Sequence, residues 1–186
     1  AAATATTTSA VLPLENRSTS TLATSFMNTR RDSPVTISGV NDSIVDGSVA
    51  YTIVTAAATS SDSNYNGLNA SDVSVSNTDN DAAGITVTPT SGLTTTETGG
   101  TAAFTIVLTS QPTANVTIAL SSSNTAEGTV SPSSVTFTGA NWNTPQTVTV
   151  TGVDDFAVDG PVTYTIVTAA ATSADTAAVP IRATRS

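Results

Sequence analysis

The 186-residue chain predicts an all-β protein: two tandem antiparallel β-sandwich modules, the first of them short of strands. Three observations carry that expectation. Ser and Thr together supply 63 residues, and the apolar 38% is rich in Val, Ile and Ala, with Leu and Glu scarce and Lys absent. That mix favours strands, because β-branched side chains suit a pleated surface and lose rotamer freedom in a helix. Apolar residues also recur at every second position and nowhere at helical spacing, the mark of strands with one buried face. Finally, residues 39–62, GVNDSIVDGSVAYTIVTAAATSSD, recur 113 positions later at 152–175 as GVDDFAVDGPVTYTIVTAAATSAD. Only positions 41, 43, 44, 48, 50 and 61 differ, so the chain holds two copies of one module.

The second copy is the more complete and its elements follow in order. Ile85 and Val87 alternate with Thr, and Ala102, Phe104, Ile106 and Leu108 form one face of the next run. Val116, Ile118 and Leu120 follow, then Val135 with Phe137, Val148 with Val150, and Val162, Tyr164 and Ile166. Turn clusters separate these runs: Pro89 to Gly92, Gly99-Gly100, Ser110 to Pro112, Ser131-Pro132 and Asp159-Gly160. A lone sheet would leave the Phe104, Ile106 and Leu108 face in water, so a second sheet must cover it. The expected division is 1–81, an incomplete module ending in an acidic linker, and 82–186, a second module with a shortened last strand.

The two copies are unequal. Residues 84–151 precede the shared segment in copy two, whereas only 1–38 precede it in copy one, a deficit of about two strands. At the other end, copy one runs on to a final strand, Asp72 to Ser76. Copy two runs on to Thr176–Ser186, where Val179, Ile181 and Ala183 alternate and Pro180 removes a ladder donor, as suits an edge strand. A sandwich lacking strands leaves a groove of unpaired backbone that an extended segment of another chain can fill. Two segments are candidate donors: Thr4–Leu14, with Val11 and Leu12, and Ala177–Arg185, with Val179, Ile181 and Arg182. All five Arg (Arg17, Arg30, Arg31, Arg182 and Arg185) lie in the unrepeated ends, and 13 of the 14 acids lie between 32 and 175. Basic ends meeting acidic bodies predict an open, head-to-tail homopolymer.

Composition removes most other functions. Without His or Cys there is no Ser-His-Asp or Cys-His nucleophile and no ordinary zinc site. Without Lys there is no Schiff-base amine or phosphate-loop lysine. A net charge of −9 leaves no basic face for nucleic acid. No apolar run reaches the ~20 residues that span a membrane, and no basic, apolar leader opens the sequence. Asp154 and Asp155 are adjacent in a turn, an arrangement unsuited to paired-carboxylate hydrolysis. No enzyme is expected.

The run from Thr147 through Asp154-Asp155-Phe156-Ala157-Val158-Asp159-Gly160 to Val162-Thr-Tyr-Thr-Ile-Val167 resembles the Calx-beta family, in which a strand ends in an acidic turn before an aromatic-aliphatic strand. It is also similar to tandem repeats of bacterial surface proteins, whose modules close on an acidic linker such as Asn77–Asp81. The likeness covers 34–81 and 83–175. It implies an immunoglobulin-like sandwich, often calcium-binding, used in adhesion or surface architecture.

Calcium takes six to eight oxygen ligands from turns, and the acids cluster there. Candidate ligands are Asp154, Asp155 and Asp159, the matching Asp42 and Asp46, and the linker residues Asn77, Asp79, Asn80 and Asp81. Asp and Asn also favour such turns for their own backbone geometry. Four sequons, at Asn16, Asn41, Asn69 and Asn115, offer glycan attachment. About four are expected by chance in so hydroxyl-rich a chain, so their number carries no information. Hydroxyl-rich runs such as Thr94–Thr96 and Ser121–Ser123 offer O-linked attachment. Trp142, the sole Trp, either plugs the sandwich rim or stacks on a sugar ring. The expectation that results is a structural subunit of an extracellular or cell-surface filament, sheath or surface layer. It would partner itself through strand complementation. The alternative is a calcium-dependent adhesin or carbohydrate-binding module that meets surface glycans.

Overall fold

The computed structural model describes residues 34–155, 157, 158 and 160–177. The candidate residues Thr4, Val11, Leu12, Leu14, Asn16, Arg17, Arg30, Arg31, Asp159, Val179, Ile181, Arg182 and Arg185 therefore lie outside the described residues. What is described is all-β, and no helix among these residues is long and apolar enough to cross a membrane. The chain separates into two units. One takes in described residues 34–40 and 50–77; the other takes in 41–49 and 78–177.

In the second unit the period-two runs become two facing sheets. β3 (Ile85–Thr88), β4 (Thr101–Leu108), β8 (Gln146–Gly152) and β6 (Gly128–Ser131) form one sheet in that spatial order. β7 (Ser134–Phe137), β5 (Val116–Ser122) and β9 (Ile166–Thr168) form the other. All the pairings are antiparallel, with Phe104 opposite Val148 between β4 and β8 and Ile118 opposite Val135 between β5 and β7. Side chains on one face of a strand share a parity, so Phe104, Ile106 and Leu108 all turn inward. There they meet Val148 and Val150 of the same sheet, and Val116, Ile118, Leu120, Val135 and Phe137 of the other. The Thr residues interleaved along β4 and β8, such as Thr105, Thr147 and Thr149, fall on the outer face, where Thr147 is exposed and the half-buried Thr105 donates its hydroxyl to the Thr88 carbonyl at 3.3 Å.

Two elements depart from the sequence expectation. The run from Val162 is strand only over Ile166–Thr168, because Tyr164 leaves the ladder. Its ring reaches Gly128, where any larger side chain would collide with it, and its hydroxyl bonds the Thr95 hydroxyl at 2.7 Å. The short β6 was not foreseen, since Val130 is the one large apolar residue between Gly128 and Ser131 and shows no period.

The first unit holds β1 (Val49–Ile53) and β2 (Val73–Asn77), paired as a two-stranded sheet. Their connection is tied by Ala58 N–H to the Leu68 carbonyl (2.7 Å) and by Gly67 N–H to the Ala58 carbonyl (2.8 Å). Gly67 takes a positive φ of 85° there, a conformation that suits glycine. No residue of β1 or β2 is fully buried. One face of the pair, with Tyr51, Ile53 and Val75, is half-buried and the other is exposed.

Candidate functional site

The repeat places one sequence in two environments. Tyr51–Thr55 and Tyr164–Thr168 are identical, as are Ala56–Ser60 and Ala169–Ser173. In copy one the strand pairs with β2; in copy two it pairs with β5. Ala171 is buried against the core, whereas its counterpart Ala58 is exposed. Asp175 is buried and accepts from Thr113 N–H at 2.7 Å, whereas Asp62 forms an exposed turn with Asn64 N–H at 2.9 Å. The sequence does not choose the neighbour. The strand that happens to lie alongside does.

β9 is the last strand of its sheet, so one edge is covered by β5 and the other has no partner strand among the described residues. A residue in an antiparallel ladder turns its N–H and C=O to one side, and the next residue turns them to the other. Ser123 N–H donates to the Thr165 carbonyl and Ala169 N–H donates to the Ala119 carbonyl, both at 2.9 Å, so these residues face β5. Ile166 and Thr168, of the other parity, present their backbone groups to the open side.

Along that side runs a groove of about 970 Å³. Val87 of β3, Phe104 of β4, Val150 of β8 and Ile166 of β9 give it an apolar lining. Thr90 to Glu97 form one wall and Gly160 to Thr165 the other, with Glu127 also contributing. The Tyr164–Thr95 hydroxyl bond crosses between the walls. The half-buried Val87 and Ile166 line the groove from the two sheets above the buried Phe104 and Val150, beside a β9 backbone with no partner strand among the described residues, which is what an incoming strand would use.

The acidic residues sort differently. Asp42, Asp46, Asp79 and Asp81 come close enough to feel one another's charge, so the copy-one turn and the linker, separate in sequence, share one place. Asp79 is the centre of it. Its Oδ1 accepts from Asp81 N–H (2.8 Å) and its Oδ2 from Gly47 N–H (2.8 Å) and Asp46 N–H (3.1 Å). Those donors hold the Asp79 carboxyl below the usual carboxylate value, the Asp81 N–H most of all. Asp81 is pushed the other way, first by desolvation and then by the charges of Asp79, Asp42 and Asp46. No three carboxyl groups converge on one point among the described residues. Both Asp79 oxygens are turned to N–H donors, so Asp79 clips the Asp46–Gly47 turn to the linker.

The other candidates are dispersed. Asn77 donates through its side chain to the Val40 carbonyl (2.8 Å), and Asn80 is exposed. Asp154 and Asp155 are exposed in the matching turn, where Asp155 caps Ala157 N–H at 2.8 Å. Asn41, Asn69 and Asn115 are exposed. Trp142 packs against the core and passes its carbonyl to Leu108 N–H (3.1 Å), so it plugs the rim. The groove walls at Leu93 and Tyr164 were not singled out beforehand as an assembly surface; the missing partner of a repeated strand was the signal that could have found them.

Comparison of the chain with protein-family models, with curated proteins and with solved structures finds no match.

Proposed function

We propose that the chain is a structural subunit of an extracellular filament, sheath or surface layer, assembling head-to-tail by β-strand complementation between protomers. One observation carries the reading. The β9 edge has no partner strand among the described residues and lies beside a groove of mixed apolar and hydroxyl lining, while in copy one the segment of identical sequence, Tyr51–Thr55, contributes to β1, which has β2 on it. A strand laid on that edge would satisfy the backbone groups of Ile166 and Thr168 and cover the half-buried Val87 and Ile166 in one step. Because acceptor and donor are different surfaces, the contact is heterologous and propagates unless rotation closes it. Self-association needs no metal or enzyme chemistry, which agrees with a chain free of His, Cys and Lys. The sugar-binding alternative has less support, since Trp142 is committed to the core. Negative-stain microscopy of the purified chain tests the proposal: threads or sheets that lengthen with concentration are expected, and a strictly monomeric species at high concentration refutes it.

A further inference from the structure

Resting on the complementation reading, we infer that the donor is the segment Asp72–Asp79 of a second copy: β2 and the carboxylates that bracket it, exchanged from β1 onto β9. Three features of copy one define what this edge accepts. The receiving strand is identical in both copies from Tyr51/Tyr164 to Thr55/Thr168. The receiving side is also the same. Thr55 N–H donates to Asp72 Oδ1 at 2.8 Å on the β2 side, and its counterpart Thr168 turns its N–H to the open side of β9. The far end is matched too, because Asp79 lies on Gly47 N–H and Gly160 lines the groove with nearly the same backbone, φ 75° against 78°. The donor is thus a Val73-x-Val75 strand with a carboxylate at each end, and the acceptor offers the Thr168 N–H at one end of a groove and the Gly160 turn at the other.

No other segment of the chain meets all of these conditions. In the tail, Val179 and Ile181 reproduce Val73 and Val75, but Ala178 stands where Asp72 would be and Arg185 where Asp79 would be. Arg182 and Arg185 are opposite in charge to Glu97 and Glu127 of the groove, which makes the tail the competing occupant. Thr4–Leu14 contains no acid. Release of β2 uncovers little apolar surface, since Val73 is 49% exposed where it now sits and its sheet has no buried residue; it gives up the Asp72, Asn77 and Asp79 hydrogen bonds, which the acceptor edge must replace. Among the described residues, β1 is paired with β2 alone and β9 with β5 alone.

The test uses the full chain, a fluorescent peptide of residues 72–81, and the full-length variants Val75→Lys and Ile181→Lys. The peptide is expected to bind the chain, to dissolve its assemblies, and to lose about tenfold or more in affinity when it carries Val75→Lys itself. The Val75→Lys chain is expected to stop assembling yet still bind the wild-type peptide, which shows that its groove is intact; Ile181→Lys is expected to assemble normally. If Ile181→Lys abolishes assembly while Val75→Lys and the peptide do nothing, the donor assignment falls and complementation stands. If the chain stays monomeric, binds no peptide and exchanges the Ile166 and Thr168 amides freely, both fall. If those amides are protected in a monomer, the chain fills its own groove and the inference is overturned.

Discussion

Asp175→Ala tests whether the repeated segment does different work in its two places. The Asp175 side chain is 6% exposed and accepts from Thr113 N–H at 2.7 Å and from Ala177 N–H at 2.9 Å. Hydrogen bonds to a charged acceptor are worth about 1.5–3 kcal/mol each, and a stranded buried donor costs a similar amount. The Ala177 donor sits in a turn with access to water, so the loss should be about 2–4 kcal/mol rather than the full sum. For a unit of this size that corresponds to roughly 10–20 °C in melting temperature. Asp175→Asn keeps a carbonyl oxygen for one donor and should lose about half as much. Asp62→Ala, the same position in copy one, removes only exposed bonds to Asn64 and should cost under about 1 kcal/mol. Trp142 fluorescence in urea reports the second unit directly, because the single Trp packs on that core. Equal shifts for Asp62→Ala and Asp175→Ala, or a shift below about 0.5 kcal/mol for Asp175→Ala, would refute the account of the repeat.

Other consequences follow from packing and charge. Phe137→Ala empties a fully enclosed site (0% exposed) and should cost about 3–5 kcal/mol by the same Trp142 readout. Gly152→Ala would drive its methyl into the Thr96 carbonyl, a main-chain obstacle, and should destabilise by more than about 2 kcal/mol. The Asp79 clip sets an acid limit. Its folded pKa is depressed, so its stabilisation is complete above the ordinary Asp value of about 3.9 and is lost as pH falls through the lower folded value. Asp81 is raised, so ionising it costs the folded state, and Asp81→Asn should raise the urea midpoint at neutral pH but not below about pH 4. Because Asp79 is bound by N–H donors, chelator should leave the melting curve unmoved; an upward shift on adding calcium would show that the turn opens to form a site.

The core was legible because its rule is simple. Phe104, Ile106 and Leu108, then Val116, Ile118 and Leu120, turn inward by parity alone. β6 was not legible, since its four residues offer one Val and lie between β5 and a proline turn. Nor was the end of β9, where Tyr164 leaves the ladder to reach Thr95 and Gly128, contacts made across 69 and 36 positions that no local pattern announces. The same limit applies to the acids. Residue type marked Asp42, Asp46, Asp79 and Asp81 as turn carboxylates, but only the fold brings them together and gives Asp79 its three N–H donors. The unequal lengths of the two copies are readable in the sequence and predict a first copy short of strands. Which edge stands open was not, because it depends on β5 taking one side of β9.

The central claim is that the open edge of β9 is completed by a strand from another copy. Amide hydrogen exchange at Ile166 and Thr168, followed across protein concentration, measures it most directly. Slow exchange that appears only as the chain assembles, and reverts on dilution, is the predicted result. Exchange at those two amides that is indifferent to concentration, while assemblies form, would contradict the account.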